Sequence, residues 1–152
     1  MRKNIKGIWL YGKSGSGKSF ISNKLSKKIK NSFIIDGDEV RKLVSSDLGY
    51  NIKDRTIQNL RVLGIAKIAI SNKVFPIISS VFLSKKSFIS AKKNKILILN
   101  VVSEMKKKIN QKLKNKTNVV GKDLHQPTLN SLTIINKKNL KINIENYVKQ
   151  TN

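Results

Sequence analysis

The chain has 152 residues, a net charge of +24 and no cysteine. Its length predicts one domain with a real hydrophobic core, and the missing cysteine excludes a disulfide framework and a thiolate metal site. No apolar run of about 18 residues is present and no apolar segment follows the basic N-terminus, so we expect neither a membrane span nor a secretory signal, and we expect a cytoplasmic protein.

Short apolar runs that alternate with helical patterns predict an α/β fold, with a mostly parallel five-stranded sheet and helices on both faces. The predicted strands are apolar and β-branched, which is typical of strands buried on both faces. They are Ile8–Tyr11, Phe33–Ile35, Pro76–Val81, Ile96–Val101 and Leu132–Ile135. The predicted helices are Lys18–Lys30, Glu39–Ser45, Asp54–Asn72, Glu104–Lys114 and Ile144–Lys149. The stretch 85–94 is polar and ambiguous.

A phosphate-binding loop lies between the first predicted strand and the first predicted helix. Residues 12–19 fit the pattern GxxxxGK[ST] without a mismatch, and strand, glycine loop and helix N-terminus are the context that the pattern requires. The glycines let backbone N–H groups approach a phosphate, Lys18 can reach the β- and γ-phosphates, and the Ser19 hydroxyl can bind Mg²⁺. The predicted nucleotide-binding residues are Gly12, Ser14, Gly15, Ser16, Gly17, Lys18, Ser19 and Phe20.

The second predicted strand ends in two carboxylates, Asp36 and Asp38. Ligands of open parallel sheets bind outside the carboxyl ends of the strands, so both side chains are expected near the phosphate-binding loop. We predict that Asp38 accepts the proton of an attacking hydroxyl and that Asp36 contacts the water shell of Mg²⁺, although the two roles could be exchanged. Lys18, Asp36 and Asp38 are therefore the predicted catalytic residues, with Ser19 and Asp36 at the metal. The alternative is an Asp-Gly-Asp turn that only caps the next helix.

Four stretches of the chain, residues 8–19, 36–41, 47–67 and 120–123, carry motifs that together resemble those of the adenylylsulfate kinase family. Residues 8–19 are similar to the family's opening W-L-T-G-L-S-G-S-G-K-S, and residues 36–41 are similar to D-G-D-N-V-R. Residues 47–67 follow D-L-G-F…D-R-x-x-N-x-x-R-V…A-K, and residues 120–123 are similar to T-G-I-D. The likeness is dense from about residue 8 to residue 81 and sparse afterwards.

The resemblance implies a single P-loop kinase domain over residues 1–152, with a short lid near residues 106–120, that uses ATP and Mg²⁺ to phosphorylate the 3′-hydroxyl of adenylyl sulfate. It implies that Arg41 and Arg55 bind the acceptor nucleotide, that Tyr50 lines its pocket, and that Gln58 replaces an asparagine of the family. Arginine suits phosphate and sulfate oxygens because it can make bidentate contacts. The resulting acceptor-binding residues are Asp36, Arg41, Tyr50, Arg55 and Gln58.

Arginine usage supports this assignment, because three of the four arginines, Arg41, Arg55 and Arg61, fall within residues 36–67 of a chain that otherwise uses lysine. The alternative is that they are helix-surface arginines paired with carboxylates. Family members often form dimers, so a homodimer is a further expectation, although no interface signal is present in the sequence.

The positions that would hold the bases of ATP and of the acceptor differ from the family. Val119 stands where the family has an aromatic residue, and the family's Arg-Asp pair corresponds to positions near Ile109 and Asn110. Two alternatives therefore stay open. One is a kinase of another nucleotide, such as a cytidine derivative used in surface-polysaccharide modification, and the other is an ATP-binding relative with weak catalysis. Nucleic-acid binding is disfavoured, because the lysines are spread along the chain without interleaved aromatic residues.

The location of three further side chains can be predicted. Trp9 and Phe20 are predicted in the core. His125, the only histidine, is expected to be a surface or hinge residue on a loop.

Overall fold

The sheet is parallel throughout and connects every element of the fold. The computed structural model describes residues 4–104 and 113–137, and within these ranges it has five strands in the order β2-β3-β1-β4-β5. All four neighbouring pairs are parallel. The strands are β1 (Gly7–Tyr11), β2 (Ser32–Asp36), β3 (Phe75–Ser80), β4 (Ile96–Ser103) and β5 (Leu132–Asn136). The predicted strands are confirmed, with differences of at most two residues at their ends.

Four helices connect the strands within the described ranges: α1 (Lys18–Ser26), α2 (Gly37–Leu43), α3 (Ile52–Ser71) and α4 (Lys85–Lys93). Helix α1 ends before the predicted Lys30, and Asn31, with φ of 53°, leads the chain into β2. The predicted helix Glu104–Lys114 lies mostly, and Ile144–Lys149 entirely, outside the described residues. Residues 106–112 of the predicted lid lie outside them as well.

The polar stretch that the sequence left ambiguous is helix α4. The Ser84 side chain caps it by accepting a hydrogen bond from the Ser87 amide, and Ser87 and Ala91 lie one turn apart on its buried side. Phe88 packs against the core beside them. A short buried stripe of small residues carries no strong periodic signal, which explains why the pattern was not decisive. None of the helices in the described ranges is long and apolar enough to cross a membrane.

The core has two layers, one on each face of the sheet. Ile8 and Leu10 of β1 pack towards α1, whereas Trp9 packs on the opposite face towards α3 and α4. This alternation places helices on both faces, as predicted. Trp9 is fully buried, but the expectation that Phe20 belongs to the core was wrong, because its side chain is 51% exposed. The next residue of α1, Ile21, is buried in its place.

Since the strands are parallel, their carboxyl ends meet at one edge of the sheet. The phosphate-binding loop follows β1 at this edge, and the Asp-Gly-Asp turn follows β2. Asn136 closes β5 at the same edge. This edge therefore gathers the predicted site residues from segments that are distant in sequence.

Candidate active site

The phosphate-binding loop closely approaches the neighbouring strand ends at two glycines. A Cβ on Gly12 would overlap the carbonyl oxygen of Val101 in β4. Gly17, with φ of 98°, has the left-handed conformation that favours glycine, and a Cβ there would overlap the side-chain amide of Asn136. The loop conformation thus depends on β4 and β5 as well as on its own motif.

The other side chains of the loop differ in their surroundings. Ser14 and Ser19 are exposed, as is Phe20 at the start of α1. Ser16 is buried, and its Oγ has no hydrogen-bond partner in the part of the chain that the structure describes. Loop and helix therefore present hydroxyl groups both at the surface and inside the loop.

Lys18 is the buried cation of the site. Its Nζ donates hydrogen bonds to the carbonyl oxygens of Gly12 at 2.7 Å and Lys13 at 2.9 Å, so the side chain folds back over the loop. Burial lowers the pKa of Lys18 from 10.5 to about 8, while the nearby carboxylates of Asp38 and Asp36 oppose this shift. The structure thus brings all three predicted catalytic residues into one electrostatic environment.

The two aspartates after β2 have different surroundings. The Oδ1 atom of Asp36 accepts hydrogen bonds from the amides of Asp38 at 2.8 Å and Glu39 at 3.3 Å, and its Oδ2 accepts one from the Ser79 hydroxyl at 3.1 Å. Asp36 therefore caps α2, which is the structural role that the sequence offered as the alternative. The Asp38 side chain is exposed and close enough to Lys18 and Arg55 to affect the pKa of both.

The structure brings three predicted acceptor residues together. The guanidinium groups of Arg41 and Arg55 lie 4.5 and 5.5 Å from the centre of the Tyr50 ring, which is 54% exposed. Arg41 is buried and donates to the carbonyl oxygen of Gly49 at 2.6 Å, and Arg55 donates to the carbonyl oxygen of Tyr50 at 2.8 Å. The arginines thus fix the loop that presents the ring, and they concentrate positive charge around it.

Arg55 also links this cluster to the turn before β5. Its Nη2 donates to the carbonyl oxygen of Asn118 at 2.8 Å, and the carboxylate of Asp123 holds the same turn by accepting from the amides of Asn118 and Val119. Burial lowers the pKa of Arg55, with a further lowering by Arg41, against the raising effects of Tyr50, Asp38 and Asp123. Arg41, Arg55 and Tyr50, here called the acceptor cluster, therefore place two like charges around one ring, and Arg55 is partly desolvated.

Gln58 and Arg61 occupy opposite environments on α3. Gln58 is buried, donates to the Gly37 carbonyl oxygen at 3.0 Å, and has an Oε1 atom without a hydrogen-bond partner in the described ranges. This hydrogen bond from Gln58 stabilises the Asp-Gly-Asp turn. Arg61 instead forms a bidentate ion pair with Asp47, at 2.5 and 2.8 Å, so this arginine is a surface residue paired with a carboxylate and does not support the acceptor assignment.

A cleft of about 750 Å³ adjoins the loop. It is lined by residues 12–16, by the end of β4 and by the turn at residues 120–126. His125 lies on this turn and is exposed, as expected for a surface residue, and it also lines the cleft. The cleft extends the site beyond the phosphate-binding loop, towards segments that carry no recognised motif apart from residues 120–123.

Sequence reasoning missed two side-chain amides that support the site. The Gln126 amide bonds both backbone groups of Leu83, accepting from its N–H at 3.0 Å and donating to its carbonyl oxygen at 2.7 Å. The Asn136 amide donates to the carbonyl oxygen of Ser16 at 3.0 Å. No local pattern distinguishes these residues from other polar residues, because their partners lie far away in the sequence.

Two oxygen-bearing side chains of the site suit a magnesium ion that arrives with a nucleotide. In the described part of the chain, no three His, Cys, Asp or Glu side chains group together as a protein-only metal site. The Ser19 hydroxyl and the Asp36 carboxylate are hard oxygen ligands, the type that Mg²⁺ prefers. Because Asp36 already accepts three hydrogen bonds, a contact through water fits it better than direct ligation.

Sequence comparison identifies relatives over the first part of the chain. The family model described as adenylylsulphate kinase matches residues 5–94. Adenylyl-sulfate kinase 3 from Arabidopsis thaliana is 42% identical over 72 residues, which are 43% of this chain and 34% of that protein. The probable adenylyl-sulfate kinase from Pyrococcus abyssi is 38% identical over 76 residues, which are 47% of this chain and 44% of that protein. The matched segment thus spans less than half of the length of these relatives.

Structure comparison extends the likeness to the whole fold. The chain superposes on the Mycobacterium tuberculosis APS kinase CysC, solved in complex with AMPPNP and APS, with a TM-score of 0.72. The superposition covers 97% of this chain and 95% of that chain at 18% sequence identity. At this identity the likeness shows a common fold, and it includes β4 and β5, which the family model does not reach.

Proposed function

Because the chain belongs to the adenylylsulfate kinase family, we propose that it transfers the γ-phosphoryl group of ATP to the 3′-hydroxyl of adenylyl sulfate. The observation that carries this proposal is the position of the exposed Asp38, which follows β2 at the carboxyl edge of the sheet and lies close enough to Lys18 of the phosphate-binding loop and to Arg55 for its charge to act on both. A carboxylate between a donor site and an acceptor site is placed for a proton transfer that accompanies phosphoryl transfer.

The donor side rests on the phosphate-binding loop. Its backbone N–H groups and the N-terminus of α1 offer an anion-binding cradle, and Lys18 adds a cation that burial has already desolvated. When a triphosphate enters, the Lys18 amine exchanges its bonds with the Gly12 and Lys13 carbonyl oxygens for phosphate oxygens. Ser19 would hold Mg²⁺ directly and Asp36 would hold it through water. The ion would neutralise charge on the β- and γ-phosphates.

The acceptor side rests on Arg41, Arg55 and Tyr50. The exposed Tyr50 ring can stack on a nucleotide base, and the two guanidinium groups beside it favour a phosphate–sulfate anion. The buried Oε1 atom of Gln58, which has no hydrogen-bond partner among the described residues, can accept a hydrogen bond from the acceptor. Together these residues would hold the acceptor hydroxyl in line with the γ-phosphorus.

In the proposed step, the acceptor oxygen forms a bond to the γ-phosphorus as the bond from that phosphorus to the β,γ-bridging oxygen breaks. Asp38 takes the proton of the attacking hydroxyl, and ADP leaves with the bridging oxygen. Lys18 compensates the charge that develops on the transferred group and on the leaving oxygen. Positioning and charge neutralisation supply the catalysis, so no covalent intermediate with the protein is needed.

An acceptor panel tests the proposal. ATP, Mg²⁺ and purified protein are incubated with adenylyl sulfate or with cytidine nucleotides, and ADP formation is measured. We expect turnover with adenylyl sulfate and its loss in Lys18→Ala, whereas Lys24→Ala, a lysine of the same helix, serves as the matched control. Turnover with a cytidine nucleotide alone would replace the proposed acceptor, and nucleotide binding without turnover on any acceptor would support the weakly catalytic alternative.

Three broader expectations accompany the proposal and stay predictions. They are a single kinase domain over residues 1–152 with a lid near residues 106–120, a homodimeric assembly, and a cytoplasmic location.

A further inference from the structure

Asn136, the last residue of β5, reaches the phosphate-binding loop from 120 residues away in the sequence. Its Nδ2 donates a hydrogen bond to the Ser16 carbonyl oxygen at 3.0 Å, and the side chain is partly buried. We propose that Asn136 is a positioning residue that orients the phosphate-binding loop for the nucleotide. The consequence for ATP binding rests on the proposed function, but the effect on the loop itself does not.

The hydrogen bond from Asn136 acts on the peptide between Ser16 and Gly17, whose N–H group belongs to the phosphate-binding loop. The Ser16 carbonyl belongs to the same planar peptide unit as the N–H of Gly17, and in a trans peptide these two groups point in opposite directions. By holding the carbonyl oxygen, Asn136 sets the direction of the Gly17 N–H on the other side of the peptide plane. In loops of this pattern the backbone N–H groups are the donors to the phosphates.

The geometry of Gly17 matches this role. Gly17 has φ of 98°, and a Cβ on it would overlap the Asn136 amide, so the two residues are packed against each other. The glycine therefore does more than permit the turn, because it also admits the Asn136 side chain. A larger residue at position 17 would displace the amide from the Ser16 carbonyl.

Asn136 is itself fixed by the sheet. It pairs in register with Ser103 of β4, and its carbonyl oxygen accepts a hydrogen bond from the Glu104 amide at 3.1 Å. A donor projected from a paired strand loses little conformational freedom when it binds the loop. The strand end thus serves as a rigid support that fixes the Ser16–Gly17 peptide before a nucleotide arrives.

The test compares Asn136→Ala and Asn136→Asp with Asn94→Ala. The aspartate has the shape of asparagine but places an acceptor against the Ser16 carbonyl oxygen. The control removes a bond of the same kind, from the Asn94 side-chain amide to the Ser90 carbonyl oxygen at 2.7 Å, at the end of α4. Binding of the ATP analogue AMPPNP with Mg²⁺ and amide hydrogen exchange of residues 12–19 are measured for each protein, together with thermal unfolding.

We expect the Kd for AMPPNP to rise roughly fivefold in Asn136→Ala and at least about tenfold in Asn136→Asp. The KM for the acceptor should stay unchanged. The loop amides should exchange faster in both variants and at the wild-type rate in Asn94→Ala. A merely structural role would lower the melting temperature without changing the Kd or the exchange of the loop. That result, in either variant that folds, would overturn the inference.

The two proposals fail in different ways. If the wild type binds AMPPNP but does not phosphorylate adenylyl sulfate, the proposed function fails and the role of Asn136 stands on the binding data. If the wild type does not bind AMPPNP, hydrogen exchange decides alone. Faster exchange of the loop amides only in the Asn136 variants supports the inference, and unchanged exchange overturns it.

Discussion

Residues 5–94 and residues 95–137 contribute to the candidate site in different ways. The first region, which the family model matches, holds every side chain to which a chemical role is assigned, from Lys18 to Gln58. In its described residues, the second region contributes backbone carbonyls, the neutral amides of Gln126 and Asn136, and the Asp123 carboxylate that holds the turn bonded by Arg55. The difference indicates that the first region supplies the reacting and binding groups, while the second holds them in place.

A physical reason underlies this difference. Groups that react must keep fixed chemical identities and fixed local spacing, so they form motifs that the sequence displays. A supporting bond needs only one donor at one point in space, and many residue types on many backbones can provide it. Substitutions of the reacting groups Lys18 and Asp38 should therefore lower kcat, and substitutions in the second region should change KM or stability.

The largest expected effect is that of Lys18→Met. Removing a cation from the transferred phosphoryl group should lower kcat by about 10³-fold while the protein stays folded. Single-turnover rates with ATP and adenylyl sulfate measure this, with circular dichroism as the control for folding. A kcat within tenfold of the wild type would show that the loop lysine does not serve the chemistry.

The same variant has a predicted effect on stability, with a defined pH dependence. The pKa of Lys18 is about 8 in the folded state and 10.5 ordinarily, so the unfolded chain binds this proton more tightly. The folded state is penalised by about 3 kcal/mol below pH 8, and the penalty disappears as the pH rises towards 10.5. Urea unfolding at pH 7 should therefore show Lys18→Met to be more stable than the wild type, with the difference vanishing at high pH.

Turnover should follow the same titration. Since kcat/KM reports the free enzyme, kcat/KM for ATP should fall as the pH rises through about 8 and Lys18 loses its proton. A profile that stays flat to pH 10 would contradict the low pKa of Lys18.

The next effect in size separates the two aspartates. Asp38→Asn should lower kcat by about 10²-fold with little change in stability, because it removes the proposed proton acceptor from an exposed position. Asp36→Ala should cost about 1 kcal/mol of stability, because Asp36 caps α2 and alanine cannot accept the hydrogen bonds from the Asp38 and Glu39 amides. Steady-state kinetics and urea unfolding of both variants make the comparison. The opposite pattern in kcat would exchange the two roles.

Gln126→Leu tests the support function of the second region. The substitution leaves both backbone groups of Leu83 without their partner, which should lower the free energy of unfolding by about 2 kcal/mol. We expect kcat to stay within about threefold of the wild type, because Gln126 carries no chemical role in the proposal. Thermal unfolding and kinetics measure both quantities, with the exposed Asn130→Ala as a control. A loss of kcat as large as that of Asp38→Asn would place chemistry in the second region.

The smallest effect is expected within the first region, at Arg61. Its partner Asp47 is exposed, and exposed ion pairs contribute little to stability. Arg61→Gln should leave turnover and melting temperature unchanged, whereas Arg55→Gln should raise the KM for the acceptor. Equal effects of the two substitutions would mean that the acceptor site extends to Arg61.

Much of the fold could be predicted because its signals are local. Each strand is a short run of apolar residues, and helix α3 follows a clear period, so the fold class and the strand positions are confirmed. Helix α4 could not be predicted, because its buried residues Ser87 and Ala91 are small and give only a weak helical periodicity of apolar residues. Phe20 was misplaced, because an aromatic residue in a helix favours the core until the orientation of that helix is known.

The sequence by itself determined the family, the strand–loop–helix unit that can hold phosphates, and the spacing of the two aspartates after β2, since each depends on neighbouring residues. Only the tertiary structure decided that Arg61 pairs with Asp47, that Gln126 bonds the backbone of Leu83, and that Asn136 holds the Ser16 carbonyl. The physical reason is distance along the chain. A bond between residues 120 positions apart exists only once the order β1-β4-β5 and the register of these strands have brought their ends together.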